Sequence, residues 1–401
     1  MNRVTRLYIP RPKISNIIKT TLCFSCCVLL WYIGVTTFSC SNSNIDEFVS
    51  HVCKLYKNGQ LEGNLCNFLC SEKLPPPQCR PQHRGKDIVF SLQWNATAVI
   101  VKAKKSSFMF YEPVYQAVNG KRHYPSITEF VNMVNENFNY ALHRNIGLTE
   151  KEIFNNGVHP TPAGMNTVFA LIQQNEYLFT WALQDTNVVP KIVGVCGHAY
   201  AVEFLEPFET SLPFSHRAKI ARNLLKSIAT LSSTMDEDIE QCDMKLDHFG
   251  IDLAGNVKLT DLDALGLHSV MQRNIAATGT CSSNKDCDYF DCTGHCTSQR
   301  CDGLLDNNLK RVCRNVFKGR LMGRFSGLLA GAPTSIAAEL TSTLQICAGQ
   351  AGVLITRNET SVIEEKLQEL LERHQNFLMW LVIMGFGRVR NTSFFLMTAC
   401  T

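Results

Sequence analysis

The stretch CDMKLDHFGIDLAGNVKLTDLD, residues 242–263, decides how this chain is read. It holds five acids, and two of them, Asp243 and Asp261, stand one loop and one short hairpin apart. The hairpin is written in GIDL and NVKLTDL, joined by Ala254-Gly255, a pair suited to a tight turn. Just before it, HRAKIARNLLKSIATLSS (216–233) places Ile220, Leu224, Leu225, Ile228 and Leu231 on one face of a helix. A helix, a loop with one carboxylate, a hairpin and a second carboxylate form an ordered series. The rival reading is that Asp243 and Asp261 are turn acids and Lys245 a solvated loop residue.

That series is how the larger lobe of a protein kinase lays out its chemistry. Phosphoryl transfer needs a carboxylate that orients the attacking hydroxyl and takes its proton. It also needs a second carboxylate that holds the metal bridging the phosphates, and a Lys that neutralises charge. The pattern HRDLKxxN…DFG reads here as Q-C-D-M-K-L-D-H…D-L-D. Asp243 takes the base position, Lys245 the catalytic-loop lysine and Asp261 the metal position. The second metal ligand, five residues after the base, falls on His248 instead of an oxygen donor. Asp247 or Asp263 would have to supply a substitute oxygen. Mg²⁺ prefers oxygen and imidazole suits later transition metals, so the site is expected to bind nucleotide with Mg²⁺ or Mn²⁺ and to transfer phosphate slowly, if at all.

A small lobe should precede this. DIVFSLQWNATAVIVKAKK (87–105) reads as two strands turning at Asn95-Ala96. Lys102, flanked by Val99 and Val101, is the phosphate-anchoring candidate; alternation puts Lys104 on the same face as a fallback. Helices are expected at about 127–143 and 165–183, then strands KIVGVC and AYAVEFL. The second helix carries one acid, Glu176, which becomes the partner of Lys102. Glu129 and Glu136, on the earlier helix, are less well placed. The nearest candidates for a glycine-rich nucleotide flap are Gly59 and Gly63 in NGQLEGNLC, without a GxGxxG pattern.

The ends and the cysteines indicate a compartment. No charge occurs between Lys19 and Asp46, Leu22–Phe38 is the apolar centre, and five basic residues with no acid precede it. The positive-inside rule then makes residues 20–44 a type II signal anchor. A cleaved signal peptide, with Thr37 and Ser39 near its end, is the rival. Of 18 cysteines, 14 lie beyond Cys40. Cys53, Cys66, Cys70 and Cys79 form one group, and Cys281, Cys287, Cys292, Cys296, Cys301 and Cys313 another. Such density suits disulfides in an oxidising compartment; zinc is the alternative, but CSSNKDCDYFDCTGHCTSQRC has no CxxC pair. Glycosylation sequons fall at Asn95, Asn358 and Asn391. A net charge of +4 with no basic stripe argues against nucleic acid.

Together, CDMKLDHFGIDLAGNVKLTDLD, NEYLFTWALQD…PKIVGVCGHAYAVEFL and CSSNKDCDYFDCTGHC resemble the divergent protein kinase domain 1 family, over about Leu22 to Arg373. The resemblance implies a type II anchor in the endoplasmic reticulum membrane, with the Golgi as the alternative, a luminal bulk and a kinase-like fold. It also implies an EF-hand-like insertion ahead of the Glu-bearing helix. Residues 153–175 contain no Asp or Glu, so calcium is not carried over. The family has Asn-Phe where this chain has His248-Phe249.

The expected fold is therefore α+β and bilobal: a small β-rich lobe and a larger helical lobe, with disulfide-rich insertions. The expected divisions are a basic tail (1–19), an anchor (20–44), a cysteine-rich lead (45–80) and a small lobe with a degenerate EF-hand-like insertion (81–205). A large lobe with a cysteine-rich segment at 281–313 (206–375) and an atypical tail (376–401) follow. Its expected role is a luminal kinase-like protein with protein partners or substrates of the secretory pathway. The alternatives are a pseudokinase scaffold and, in a different class, a disulfide-rich adhesive domain.

Overall fold

A computed structural model describes residues 42–71, 78–79, 87–104, 114–319, 326–349 and 357–383. The expected anchor lies outside them except for its last three residues, and so does Asn391. No helix among the described residues is long and apolar enough to cross a membrane.

The chain enters through helix α1 (Asn42–Lys57) and the short α2 (Cys66–Leu69), then builds strands β1 (Gln78–Cys79), β2 (Asp87–Trp94) and β3 (Thr97–Lys104). A small hairpin, β4 (Gln116–Val118) and β5 (Lys121–His123), leads to helices α3 (Ile127–Leu142), α4 (Glu150–Ile153), α5 (Pro162–Ile172) and α6 (Asn175–Leu183). Strands β6 (Ile192–Cys196) and β7 (Ala199–Glu203) complete an antiparallel sheet ordered β1-β2-β3-β7-β6. The β2–β3 turn falls at Asn95 and Ala96, both at positive φ, as a two-residue hairpin of this twist requires.

Alternation along β3 gives that sheet two faces. Ile100 and Lys102 pair in register with Val202 and Tyr200 of β7 and, with Val89 of β2, look toward the large lobe. Val99, Val101 and Ala103 face the other way, into a cluster with Ile45, Phe48 and Val52 of α1 and Leu65 and Leu69 of the α2 region. The cysteine-rich lead therefore covers the outer face of the sheet. Each of those buried side chains apart from Ala103 contributes about 1.5–3 kcal/mol. Disulfides Cys53–Cys70 and Cys66–Cys196 staple the lead to itself and to β6.

The large lobe begins at β8 (Glu206–Pro207) and α7 (Phe214–Ser233), whose Leu224, Leu225, Ile228 and Leu231 are buried. Then come β9 (Ile239–Gln241), the hairpin β10 (Phe249–Ile251) and β11 (Val257–Leu259), β12 (Leu265–Leu267) and α8 (His268–Ala276). Strand β8 pairs with β10, opposing Gly250 to Pro207. A Cβ on Gly250 would fall 2.6 Å from that of Leu205, so glycine permits this close join between the lobes. The cysteine-rich segment folds as β13 (Asp288–Tyr289), β14 (Cys292–Thr297) and β15 (Arg300–Leu304). Helix α9 (Asn308–Arg311) runs into a π-helical turn at Val312–Lys318, and α10 (Thr334–Cys347) and α11 (Arg357–Ile383) close the lobe. Inside it, Arg311 is fully buried and answered by Asp306 at 2.7 Å and by Glu240, since a buried guanidinium is tolerated only when paired.

One expected element differs. The helix at 165–183 is two helices, because Gln174 adopts an extended conformation between α5 and α6. Its amide oxygen accepts the Lys104 N–H at 3.1 Å and its amide nitrogen donates to the His198 carbonyl at 2.8 Å. Those bonds break the helix and fix the start of α6 against the sheet.

Candidate active site

Lys102 stands on the cleft face of β3 and Glu176 in the first turn of α6. The Lys102 ammonium donates to Glu176 Oε1 at 2.5 Å and to the Thr260 carbonyl at 2.5 Å. The lysine is 7% exposed. Burial pulls its pKa down, but Glu176, Asp261 and Asp263 together more than reverse this and hold it above the ordinary lysine value. It is therefore a fixed positive charge pointing at the residue that precedes Asp261. Lys104 is exposed at the end of the strand. Glu129 and Glu152 cap the helices they start, through Ser126 and Thr149, and Glu136 lies on the same helix as Glu129.

On the large-lobe side, Asp243 lies in the loop after β9 and Asp261 in the loop after β11. The Lys245 ammonium is 2.7 Å from one Asp243 carboxylate oxygen and 2.9 Å from the other. Burial pulls the Lys245 pKa down, but Asp243, with Asp291 and Asp247, more than offsets this and holds it above the ordinary lysine value. His248 stands between the two acids. Its Nδ1 is 3.0 Å from the Asp243 carbonyl and its Nε2 3.5 Å from Asp261 Oδ2. The other Asp261 oxygen accepts the Asp263 N–H at 3.1 Å. Gln241, fully buried where the pattern has the histidine of HRD, donates to the Asp261 carbonyl at 2.7 Å.

Between the lobes lies a cleft lined by Val89, Ile100, Val202, Leu205 and Phe249, with Lys102, Glu203, Asp247 and Thr260 as its polar lining. It is apolar with a few convergent polar groups, the usual make-up of a small-molecule site. Gly59 and Gly63 are not among the residues lining it. Gly63, at φ +142, is packed under β6, where a Cβ would meet the Val195 carbonyl oxygen at 2.1 Å. Residues 80–86, between β1 and β2, lie outside the described residues.

The loop of Asp243 is also held from the cysteine-rich segment. Cys242 is bonded to Cys292. Asp291 N–H donates to the Cys242 carbonyl at 2.6 Å, and the Asp291 carboxylate accepts the Met244 N–H at 2.9 Å. Burial raises the Asp291 pKa, the Met244 bond opposes this, and the neighbouring Asp243 adds to it. Among the described residues of this lobe, Cys281–Cys296, Cys287–Cys301 and Cys313–Cys347 are also bridged. The sulfurs of Cys281, Cys287 and Cys301 come close together, but all three are consumed in disulfides and offer no thiolate to zinc. Cys79 lies on β1 and its side chain is outside the described residues.

Sequence reasoning did not single out Gln174, Gln241, Asp291, Cys196, Cys242 or Cys347. Cys242 stands beside Asp243 where the pattern has arginine, which was the available signal; the glutamines gave none. The expected EF-hand-like region, 153–175, folds as the end of α4, a loop, all of α5 and the first residue of α6. It has no carboxylate of its own, and Glu62 reaches in to accept the His159 N–H at 2.5 Å. Asn95 is exposed on the β2–β3 turn. Asn358 lies in the first turn of α11, its side chain outside the described residues.

Two family models match this chain. One, described as the protein-kinase domain of FAM69, matches residues 168–350; the other, the N-terminal cysteine-rich endoplasmic-reticulum region of FAM69, matches residues 10–152. The first takes in Glu176, Asp243, His248 and Asp261; the second takes in Lys102 and the lead that covers the sheet.

Proposed function

The chain belongs to the FAM69 family of kinase-like, endoplasmic-reticulum-associated proteins, and from that premise we propose that it binds a nucleoside triphosphate with a divalent metal in the interlobe cleft. The observation that carries this is the Lys102–Glu176 pair, delivered from the small lobe to the carbonyl beside Asp261. The adenine would lie among Ile100, Val202, Leu205 and Phe249. Lys102 would hold the phosphates, and Glu176 keeps Lys102 charged and aimed. Asp261 would hold the metal. When bound, that metal neutralises charge on the phosphates during transfer. Asp243 would accept the proton of an incoming hydroxyl, with Lys245 beside it. Gly59 and Gly63 have no part in this reading.

Phosphoryl transfer to a protein hydroxyl is the reaction this arrangement fits. Its rate is expected to be low, because His248 replaces an oxygen donor. A pseudokinase that binds partners is the second reading, and the same His248 favours it. The family's association with the endoplasmic reticulum supports a type II anchor at 20–44, a luminal bulk and glycans at Asn95 and Asn358. Partners or substrates would then be proteins of the secretory pathway. The test is metal-dependent ATP binding by wild type and Asp261→Ala. Saturable binding that Asp261→Ala weakens by at least about tenfold is expected. Unchanged binding in that variant would overturn the site assignment.

A further inference from the structure

The outer face of the small-lobe sheet carries a groove of ≈ 950 Å³, which shares only Glu203 among its lining residues with the interlobe cleft. The cysteine-rich lead, the β2–β3 turn, β6 and the tip of the β10–β11 hairpin wall it. Its size lies at the upper end of small-molecule sites. Two aromatic rings, Phe68 from the lead and Trp94 from the end of β2, stand side by side on its wall, with centroids 6.5 Å apart and a 37° tilt. Both are half-buried. A Cβ on Gly194 of β6 would fall 2.6 Å from the Trp94 ring, so glycine lets the indole pack closely on that strand and fixes it there.

The polar lining narrows the ligand class. The Tyr56 hydroxyl donates to Asn67 Oδ1 at 2.5 Å, which leaves the Asn67 amide nitrogen as a donor. Glu203 Oε1 accepts Lys258 Nζ at 2.6 Å and the Lys191 N–H at 2.9 Å, which leaves Oε2 as an acceptor. Rings beside an amide and a carboxylate suit a pyranose. Its C–H face packs on an aromatic ring, and its hydroxyls need donors and acceptors around the edge. An anionic ligand fits poorly, because Glu203 and Asp252 both line the groove. Asn95 and Thr97, the first and third residues of the Asn95-Ala96-Thr97 sequon, line it too. A sugar on the Asn95 amide starts at the rim, so its docking is intramolecular and avoids most of the cost of capturing a free ligand.

We propose that this groove holds the proximal N-acetylglucosamine units of a glycan on Asn95, packed against Trp94 and Phe68. The proposal rests on the luminal reading, which supplies the glycan, and not on nucleotide binding. The test uses the full-length chain made in cells that glycosylate it. Mass spectrometry of the Asn95 peptide reports occupancy, and an endoglycosidase that cuts between the two proximal sugars reports docking. Cleavage at Asn95 in the native protein should be about tenfold slower than in the released glycopeptide, as for a glycan docked about nine-tenths of the time. Trp94→Val should remove most of that protection. Trp94 also packs on the sheet, so a second measurement uses no variant. With carbon-13-labelled sugars, wild type should show nuclear Overhauser contacts between the proximal sugars and the Trp94 indole.

An occupied Asn95 that is cleaved as fast as its free glycopeptide, or that lacks any sugar–indole contact, would overturn the proposal and leave the luminal reading standing. An Asn95 without glycan beside a glycosylated Asn358 would do the same. No glycan at either position would overturn the luminal reading and the proposal with it. Protection that survives in a folded Trp94→Val would place the glycan elsewhere and overturn the groove as its site.

Discussion

Within the small lobe Lys102 touches Glu176 directly, whereas in the large lobe Asp243 and Asp261 both lean on the ring of His248. The two sides of the cleft have departed from the kinase pattern by different amounts. On the small-lobe side the strand lysine, the helix glutamate and their buried contact are all present. On the other side, Gln241, Cys242, Met244, His248, Leu262 and Asp263 replace six residues of the pattern while Lys245 and the two aspartates stay. Groups that would grip phosphates are retained, and groups that would complete the transfer are rebuilt. Selection of that kind would keep binding and alter or silence turnover.

The largest expected effect tests the conventional side. Lys102→Met leaves Glu176, whose side chain is 16% exposed, without its partner, so the loss should reach the lower end of the about 3–5 kcal/mol that breaking a buried pair costs. Urea unfolding should show a loss of that size, and metal-dependent ATP binding should fall with it. Lys102→Met combined with Glu176→Leu should recover part of the stability but none of the binding. A loss below about 1 kcal/mol for the single variant would mean that the pair is a surface-like contact, and the contrast between the two sides would lose its anchor.

The next test concerns the rebuilt side. Kinases commonly hold the activation segment against the catalytic loop by an arginine and a phosphate. Here Cys242 stands at that arginine's place and is bonded to Cys292, 50 residues on. A disulfide therefore ties the loop of Asp243 to the cysteine-rich segment at that place. Replacing both cysteines by serine should cost about 2–4 kcal/mol in unfolding free energy. ATP affinity should stay within about threefold, because the change lies away from Lys102 and Glu176. Asp291 would lose its hold on Met244, so exchange of that backbone amide should speed up. An unchanged Met244 amide would show that Asp291 holds the loop without the disulfide.

The conventional side was also the more legible one in the sequence. Strand alternation and a single acid in the helix preceding KIVGVC were sufficient to join Lys102 to Glu176, though 74 residues separate them. The hairpin at Ala254-Gly255 was equally plain, because turn chemistry is local. Disulfide partners were not legible, since Cys66–Cys196 spans 130 residues and depends on the lead folding over the sheet. The helix break at Gln174 had no proline or glycine to announce it; it comes from bonds to Lys104 and His198, which only the tertiary structure supplies. Nor did any periodicity show that α1 would cover the outer sheet face. His248 was visible as a departure, but its place between two acids was not.

The smallest expected effect separates the two lysines that alternation left on one face. Lys104 closes β3 with its side chain exposed, and its contact with Gln174 runs through the backbone N–H. Truncating the side chain therefore leaves that bond in place and removes no buried charge. Lys104→Ala should change unfolding free energy by less than about 0.5 kcal/mol, as exposed substitutions do, and leave ATP affinity unchanged. Lys102 differs because it alone is buried against Glu176 and the Thr260 carbonyl. A Lys104→Ala variant that lost nucleotide binding while Lys102→Met retained it would exchange their roles. The phosphate anchor would then sit at the open end of the strand, and the small-lobe side would be as altered as the large-lobe side.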